Sequence, residues 1–227
     1  HVTQLETWLG EGPLTLTNIY TKSAGDTSFD FHAAVGGMGR TFVLVEILGG
    51  TNTSFGGGTP GAYGGGPQIV GGYNPRSWVS AFSYIYTHDP EDMTAFLFNL
   101  TQGLFKEQVS QHQTLDASSY GPTFGGGHDL YIDTGLTSGY AHSCTYCDPG
   151  TATPASGSHC YITSSSHQFN ILGEAYRTEN LQIGAIEVFA LDVADSGPVA
   201  VPEPVMPALL GVGLLGIAMA RRKRAGI

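Results

Sequence analysis

Basic side chains are scarce over most of this chain. Residues 1–200 hold five lysines and arginines against eighteen aspartates and glutamates, a net of −13. Phosphate binding rests on clustered lysine and arginine, so this acidic body argues against nucleic acid and anionic lipid as its partners. Cysteine is nearly absent: Cys144, Cys147 and Cys160 fall within one seventeen-residue stretch. There is no G-x-S-x-G elbow, no H-E-x-x-H helix and no phosphate-cradling G-x-x-x-x-G-K-[ST] loop. No catalytic residue and no cofactor follows from motif, and the expected role is non-enzymatic. No basic-plus-apolar leader opens the chain at His1. The expectation is a mature or trimmed start, after a removed signal peptide.

The missing cations reappear together at the far end, as Arg221-Arg222-Lys223-Arg224. Before them runs an apolar stretch from Val205 to Ala220, and before that stands Val201-Pro202-Glu203-Pro204. Sixteen helical residues span about 24 Å at ~1.5 Å each. That is slightly short of a bilayer core, a gap that snorkelling arginines and local thinning can cover. A transmembrane helix over about 205–220 is therefore expected. Its basic end would stay in the cytoplasm by the positive-inside rule, leaving residues 1–200 outside. Box, helix and basic cluster, in this order, resemble the PEP-CTERM sorting signal of Gram-negative bacteria. The resemblance implies export and recognition of the box by a membrane transpeptidase-like enzyme, the exosortase. Gly211, Gly213 and Gly216 match a dinucleotide fingerprint only on paper, since they lie inside this apolar run.

The remaining body is long enough for one large domain with a true core. Its glycine, serine and threonine suit an all-β fold with long loops. Val2, Leu5, Trp8 and Leu9 form a helical stripe closed by Gly10. Leu14 to Tyr20 alternates like a half-buried strand. Asp26 or Thr27 can cap a short helix carrying Phe29, Phe31 and Val35. TFVLVEIL, from Thr41 to Leu48, reads as a central strand. Residues 49–72, with eleven glycines and two prolines, read as a loop. Ile69 to Tyr73, Trp78 to Tyr86 and Thr94 to Leu100 read as strands or strand pieces, His128 to Asp133 as a strand, and Gln168 to Leu172 with Leu181 to Leu191 close the domain. Polar residues 106–119 read as loop, and 192–200 as linker.

A second resemblance covers most of this body. D-T-S-F-D-F-H from Asp26, I-V-G-G-Y-N-P-R-S-W from Ile69 and T-A-F-L-F-N-L from Thr94 appear in order. Y-G-P-T-F-G-G-G-H-D-L-Y-I-D from Tyr120 and I-G-A-I-E-V-F-A-L from Ile183 complete the set. Together they are similar to the TLDc domain, over residues 1–191. The resemblance implies a mainly β fold: a two-sheet antiparallel β-sandwich with a few short helices. It implies no agreed catalytic residue; eukaryotic members are linked to oxidative-stress resistance and to a proton-pumping ATPase. The loops at 49–72 and 139–160 look like insertions.

Several residues still invite chemistry. His32 is either a base or a packed histidine donating to a backbone carbonyl. His128-Asp129 follows three glycines whose amides could hold an anion, although a plain turn needs the same glycines. Cys144-x-x-Cys147 with His142, His159 and Cys160 offers zinc-like donors, but adjacent His159 and Cys160 cannot share one metal without strain. In an oxidising compartment one disulfide and one leftover thiol are the simpler expectation. Asp89, Glu91 and Asp92 lack calcium-loop spacing. Asn52 and Asn99 sit in N-glycosylation triplets. The reading is an exported, envelope-anchored or exosortase-processed protein with a structural or binding role at the cell surface or in extracellular polysaccharide. The rivals are a redox or metal module on the Cys144/Cys147 loop and a hydrolase using His32 or His128.

Overall fold

The computed structural model describes residues 1–52, 61–62, 65–150, 169–174 and 177–192. Over these residues the chain is mainly β and antiparallel, with few helices. In chain order the elements begin with α1 (Val2–Leu9), β1 (Thr15–Thr21), α2 (Ser28–Val35), β2 (Thr41–Asn52), β3 (Gly61–Ala62) and β4 (Gln68–Asn74). Then come β5 (Ser83–Tyr86), β6 (Phe96–Asn99), β7 (Leu104–Gln108), β8 (His112–Asp116) and β9 (Thr123–Phe124). The last are β10 (Leu130–Ile132), β11 (Gly139–Ala141), β12 (Tyr146–Cys147) and β13 (Thr178–Asp192). Hydrogen bonding joins them in the order β12-β7-β6-β4-β2-β13-β11-β10-β9-β8-β5, with β1 added to β13 and β3 to β2.

The hydrophobic run of β2 explains its central place. Val43, Val45 and Ile47 point into one fully buried cluster with Val70, Leu97, Phe124, Leu130, Ile132, Ile186 and Val188. The alternate residues Phe42 and Leu44 join a second cluster on the opposite face, which Leu5, Trp8 and Leu9 of α1 cover. α1 stops where expected: Gly10 is left-handed at φ 75° and its amide bonds the Glu6 carbonyl. On α2 the cap is Thr27, whose N–H donates to the Asp30 carboxylate at 2.8 Å.

The ladder forms one continuous path, yet strands far apart on it meet across the core. β4 and β9 are not ladder neighbours, but a Cβ added at Gly72 would lie 2.6 Å from the Phe124 ring. This face-to-face approach is consistent with a β-sandwich.

One expectation needs correction and two are narrowed. Residues 106–119 are not loop: they supply most of β7 and all of β8. Their polar side chains are buried and bonded, Lys106 to Asp148 at 2.8 Å and Gln113 to Asn74 at 2.8 Å, so hydropathy hides the strands. Trp78 to Tyr86 is strand only from Ser83, because Ser80 and Phe82 take left-handed backbone (φ 53° and 48°) and break the extended run. Ile171 and Leu172 form a buried turn, not a strand. The glycine-rich stretch also yields ends to β2 and β4, while the cysteine loop holds β11 and β12. Cys160, His159, the Val201-Pro202-Glu203-Pro204 box, the expected span over 205–220 and Arg221, Arg222, Lys223 and Arg224 lie outside the described residues. Among the described residues no helix is long and apolar enough to cross a membrane.

Candidate functional site

Two surface arrangements bring together groups that are distant in sequence. The first lies where the turn before β5 meets α2. Trp78 anchors that turn: its indole N–H donates to Thr41 Oγ1 at 3.0 Å, and its ring stands edge-on to Phe31 and Phe124. The next amide, Val79 N–H, donates to Asp116 Oδ2 at 2.6 Å. Ser80 is then turned outward in left-handed backbone, with its hydroxyl 2.9 Å from His32 Nδ1. His32 Nε2 lies 3.0 Å from the Tyr120 carbonyl. A carbonyl only accepts, so Nε2 carries the proton and Nδ1 presents its lone pair to Ser80. Asp116 Oδ1 is 3.9 Å from the same Nδ1, buried and without a hydrogen-bond partner. Burial lowers the His32 pKa, against the pull of the Tyr120 carbonyl, Asp116 and the Ala117 carbonyl, and burial raises that of Asp116. Burial thus favours the neutral imidazole.

The second arrangement is a surface of tyrosine and histidine. His128, left-handed at φ 63°, bonds Tyr140 Oη through Nδ1 at 2.6 Å and Tyr84 Oη through Nε2 at 3.1 Å. Tyr131 and Tyr140 pair across β10 and β11, and both stack on the His128 ring. Arg177 lies 3.7 Å over the Tyr140 ring. Burial, then the Arg177 charge, lowers the His128 pKa. The rings continue through Tyr84 to His112 and Tyr86 on the paired strands β5 and β8. Beside Tyr131 and Tyr140 opens a polar cleft lined also by Asp133, Ser138, Arg177 and Asn180.

The other expected site residues are placed differently. Asp129, beside His128, is buried and accepts the amides of Cys144, Thr145 and Tyr146 at 2.7–3.0 Å. The glycine amides have partners inside the fold: Gly125 N–H donates to the Gln113 carbonyl and Gly126 N–H to Thr145 Oγ1. Burial pushes the Asp129 carboxyl up to about 7, against the amides it accepts and Lys106. Cys144 is a free, buried thiol 2.9 Å from His142 Nδ1. Burial, reinforced by the Asp129 charge, pushes the thiol up to about 12, so it is neither thiolate ligand nor nucleophile at neutral pH. Cys147 is disulfide-bonded. Among the described residues no group of three His, Cys, Asp or Glu could hold a metal ion. Asp89, Glu91 and Asp92 lie exposed at a single 3-10 turn, Pro90–Asp92. Asn99 is fully buried and bonded to Gln68 and Ile171, which shields it from any transferase in the folded chain.

Sequence reasoning missed Ser80 and the tyrosines. Ser80 carries no sequence signal, because its tie to His32 crosses 48 residues and depends on the Trp78 anchor. The tyrosines left a faint trace, since Tyr84 and Tyr86 stand two apart and share one face of a strand.

No curated protein matches the chain. The model of the TLDc domain matches residues 3–192, a span that takes in α1, the whole strand ladder and both arrangements. This chain belongs to the TLDc domain family.

Proposed function

We propose that the chain is an exported cell-envelope protein. In this reading a two-layer TLDc sandwich is carried on a PEP-CTERM-type tail and serves mainly to bind neutral polysaccharide at the cell surface, not to turn it over. The tail at 201–227 would anchor the protein through its helix until the exosortase acts on Val201-Pro202-Glu203-Pro204. The tyrosine–histidine surface carries the binding half of this reading. Sugar rings offer C–H faces that stack on aromatic rings, and hydroxyls that bond Tyr Oη, Asp133, Asn180 and Arg177. The net charge of −13 over residues 1–200 favours a neutral polymer over an anionic one.

Tyr131→Ala is expected to weaken retention on neutral polysaccharide in affinity electrophoresis by about tenfold, the loss of one aromatic anchor. Equal retention of variant and parent, with thermal unfolding unchanged, would remove the binding reading. Deleting 201–227 is expected to move the protein from the membrane fraction to the medium. Unchanged fractionation would remove the anchoring reading and leave the other untouched.

A further inference from the structure

We propose that Ser80 is a nucleophile, with His32 as its general base, in a second site separate from the tyrosine surface that cleaves carboxylic esters bearing an apolar group. The Tyr120 carbonyl fixes the His32 proton on Nε2, so the nitrogen facing Ser80 is the basic one. A 2.9 Å contact is within reach for proton transfer. In the familiar serine–histidine–aspartate arrangement the carboxylate orients the ring from the nitrogen opposite the serine. Here the backbone carbonyl does the orienting, and Asp116 approaches the same nitrogen as Ser80. Asp116 thus stands where positive charge would appear once Nδ1 takes the proton, with an Oδ1 that has no hydrogen-bond partner among the described residues.

The backbone supports the same assignment. Left-handed φ at two non-glycine residues so close together is costly, and at a bulky phenylalanine it is an outlier. The consequence is that Ser80 faces outward while its base stays buried. Around it the turn leaves apolar side chains in solvent: Val79 is 56% and Phe82 74% exposed. Phe29, 56% exposed, lies one helical turn before His32 on α2. Exposed apolar side chains next to a polar nucleophile favour an ester with a hydrocarbon acyl or alkyl part.

The chemistry balances with water as the only co-reactant. Ser80 Oγ bonds the ester carbonyl carbon as its proton passes to Nδ1. Collapse breaks the carbon–oxygen bond, and the departing alkoxide takes that proton. Water then attacks the acyl-serine, gives its proton to Nδ1, and the proton returns to Oγ as the carboxylic acid leaves.

The test uses the full chain with a fluorophosphonate probe, peptide mass mapping, and p-nitrophenyl butyrate as substrate. Adduct on Ser80 and ester hydrolysis are expected, both abolished in Ser80→Ala. His32→Gln should slow both by about 10²–10⁴-fold, the usual contribution of a general base. Because His32 is buried, each variant's thermal transition is measured alongside; Ser80→Ala, at an exposed residue, keeps the test decisive if His32→Gln unfolds. Absence of any Ser80 adduct, or hydrolysis that persists in Ser80→Ala, overturns the assignment. So does an equal rate in a folded His32→Gln.

Discussion

Asp129→Ala should cost about 3–5 kcal/mol of stability, since it leaves three buried amide donors without an acceptor. Cys144, Thr145 and Tyr146 all donate to this one carboxyl group, and Oδ1 alone receives all three. Their segment also carries β12 onto β7 and sets the Thr145 hydroxyl against Gly126 N–H. Urea unfolding would give the loss, and thiol labelling of Cys144 should quicken as its segment loosens. A change under 1 kcal/mol would show that water replaces the carboxyl without difficulty.

The same residue predicts an unusual pH dependence. Its folded pKa, about 7, lies above the ordinary aspartate value of 3.8. Between those values the folded chain holds a proton that the unfolded chain has released. The contribution to stability is therefore full in acid and is lost as pH rises through about 7. From pH 5 to pH 8 the wild type should lose about 2–3 kcal/mol relative to Asp129→Asn, which has nothing to titrate there. Parallel stability curves for the two proteins would contradict the assignment.

Gly71→Ala should be at least as damaging, about 4 kcal/mol or more, and is expected to leave little folded protein. The added Cβ would sit 1.9 Å from the Val43 carbonyl oxygen and 2.7 Å from the Phe98 ring. The oxygen belongs to backbone in register with β4, so relief requires breaking the β2–β4 pairing. Overpacking ordinarily costs less because flexible side chains give way. Gly66→Ala is the control: nothing lies within 4 Å of its Cβ position, and the change should stay within about 0.5 kcal/mol. Soluble yield and denaturation midpoints would separate the two.

Much of the scaffold was legible in the linear chain because its signals are local. The stripe of Leu5, Trp8 and Leu9 with Gly10 behind it makes α1. Thr27 with Asp30 starts α2, and the apolar run Phe42 to Val45 marks β2 as a central strand. The ordered sequence blocks also carry the TLDc family, a signal that is again local. What hydropathy could not reveal were strands with buried polar faces: Lys106, Gln113 and Asp116 look solvated until Asp148, Asn74 and Val79 stand beside them. Glycine content places Gly71 and Gly72 in a loop while the Ile69 to Tyr73 pattern places them in a strand, and their close packing inside β4 decides for the strand.

By itself, then, the sequence determined the locally signalled elements, the family and the sparing use of basic charge, since each is read from neighbours a few residues apart. Only the tertiary structure decided what the polar residues do. It brought Ser80 to His32 across 48 positions and gave Asp129 the amides of a segment 15 to 17 residues away. A hydrogen bond needs its partner within about 3 Å, and only the folded chain sets distances on that scale between residues so far apart along it.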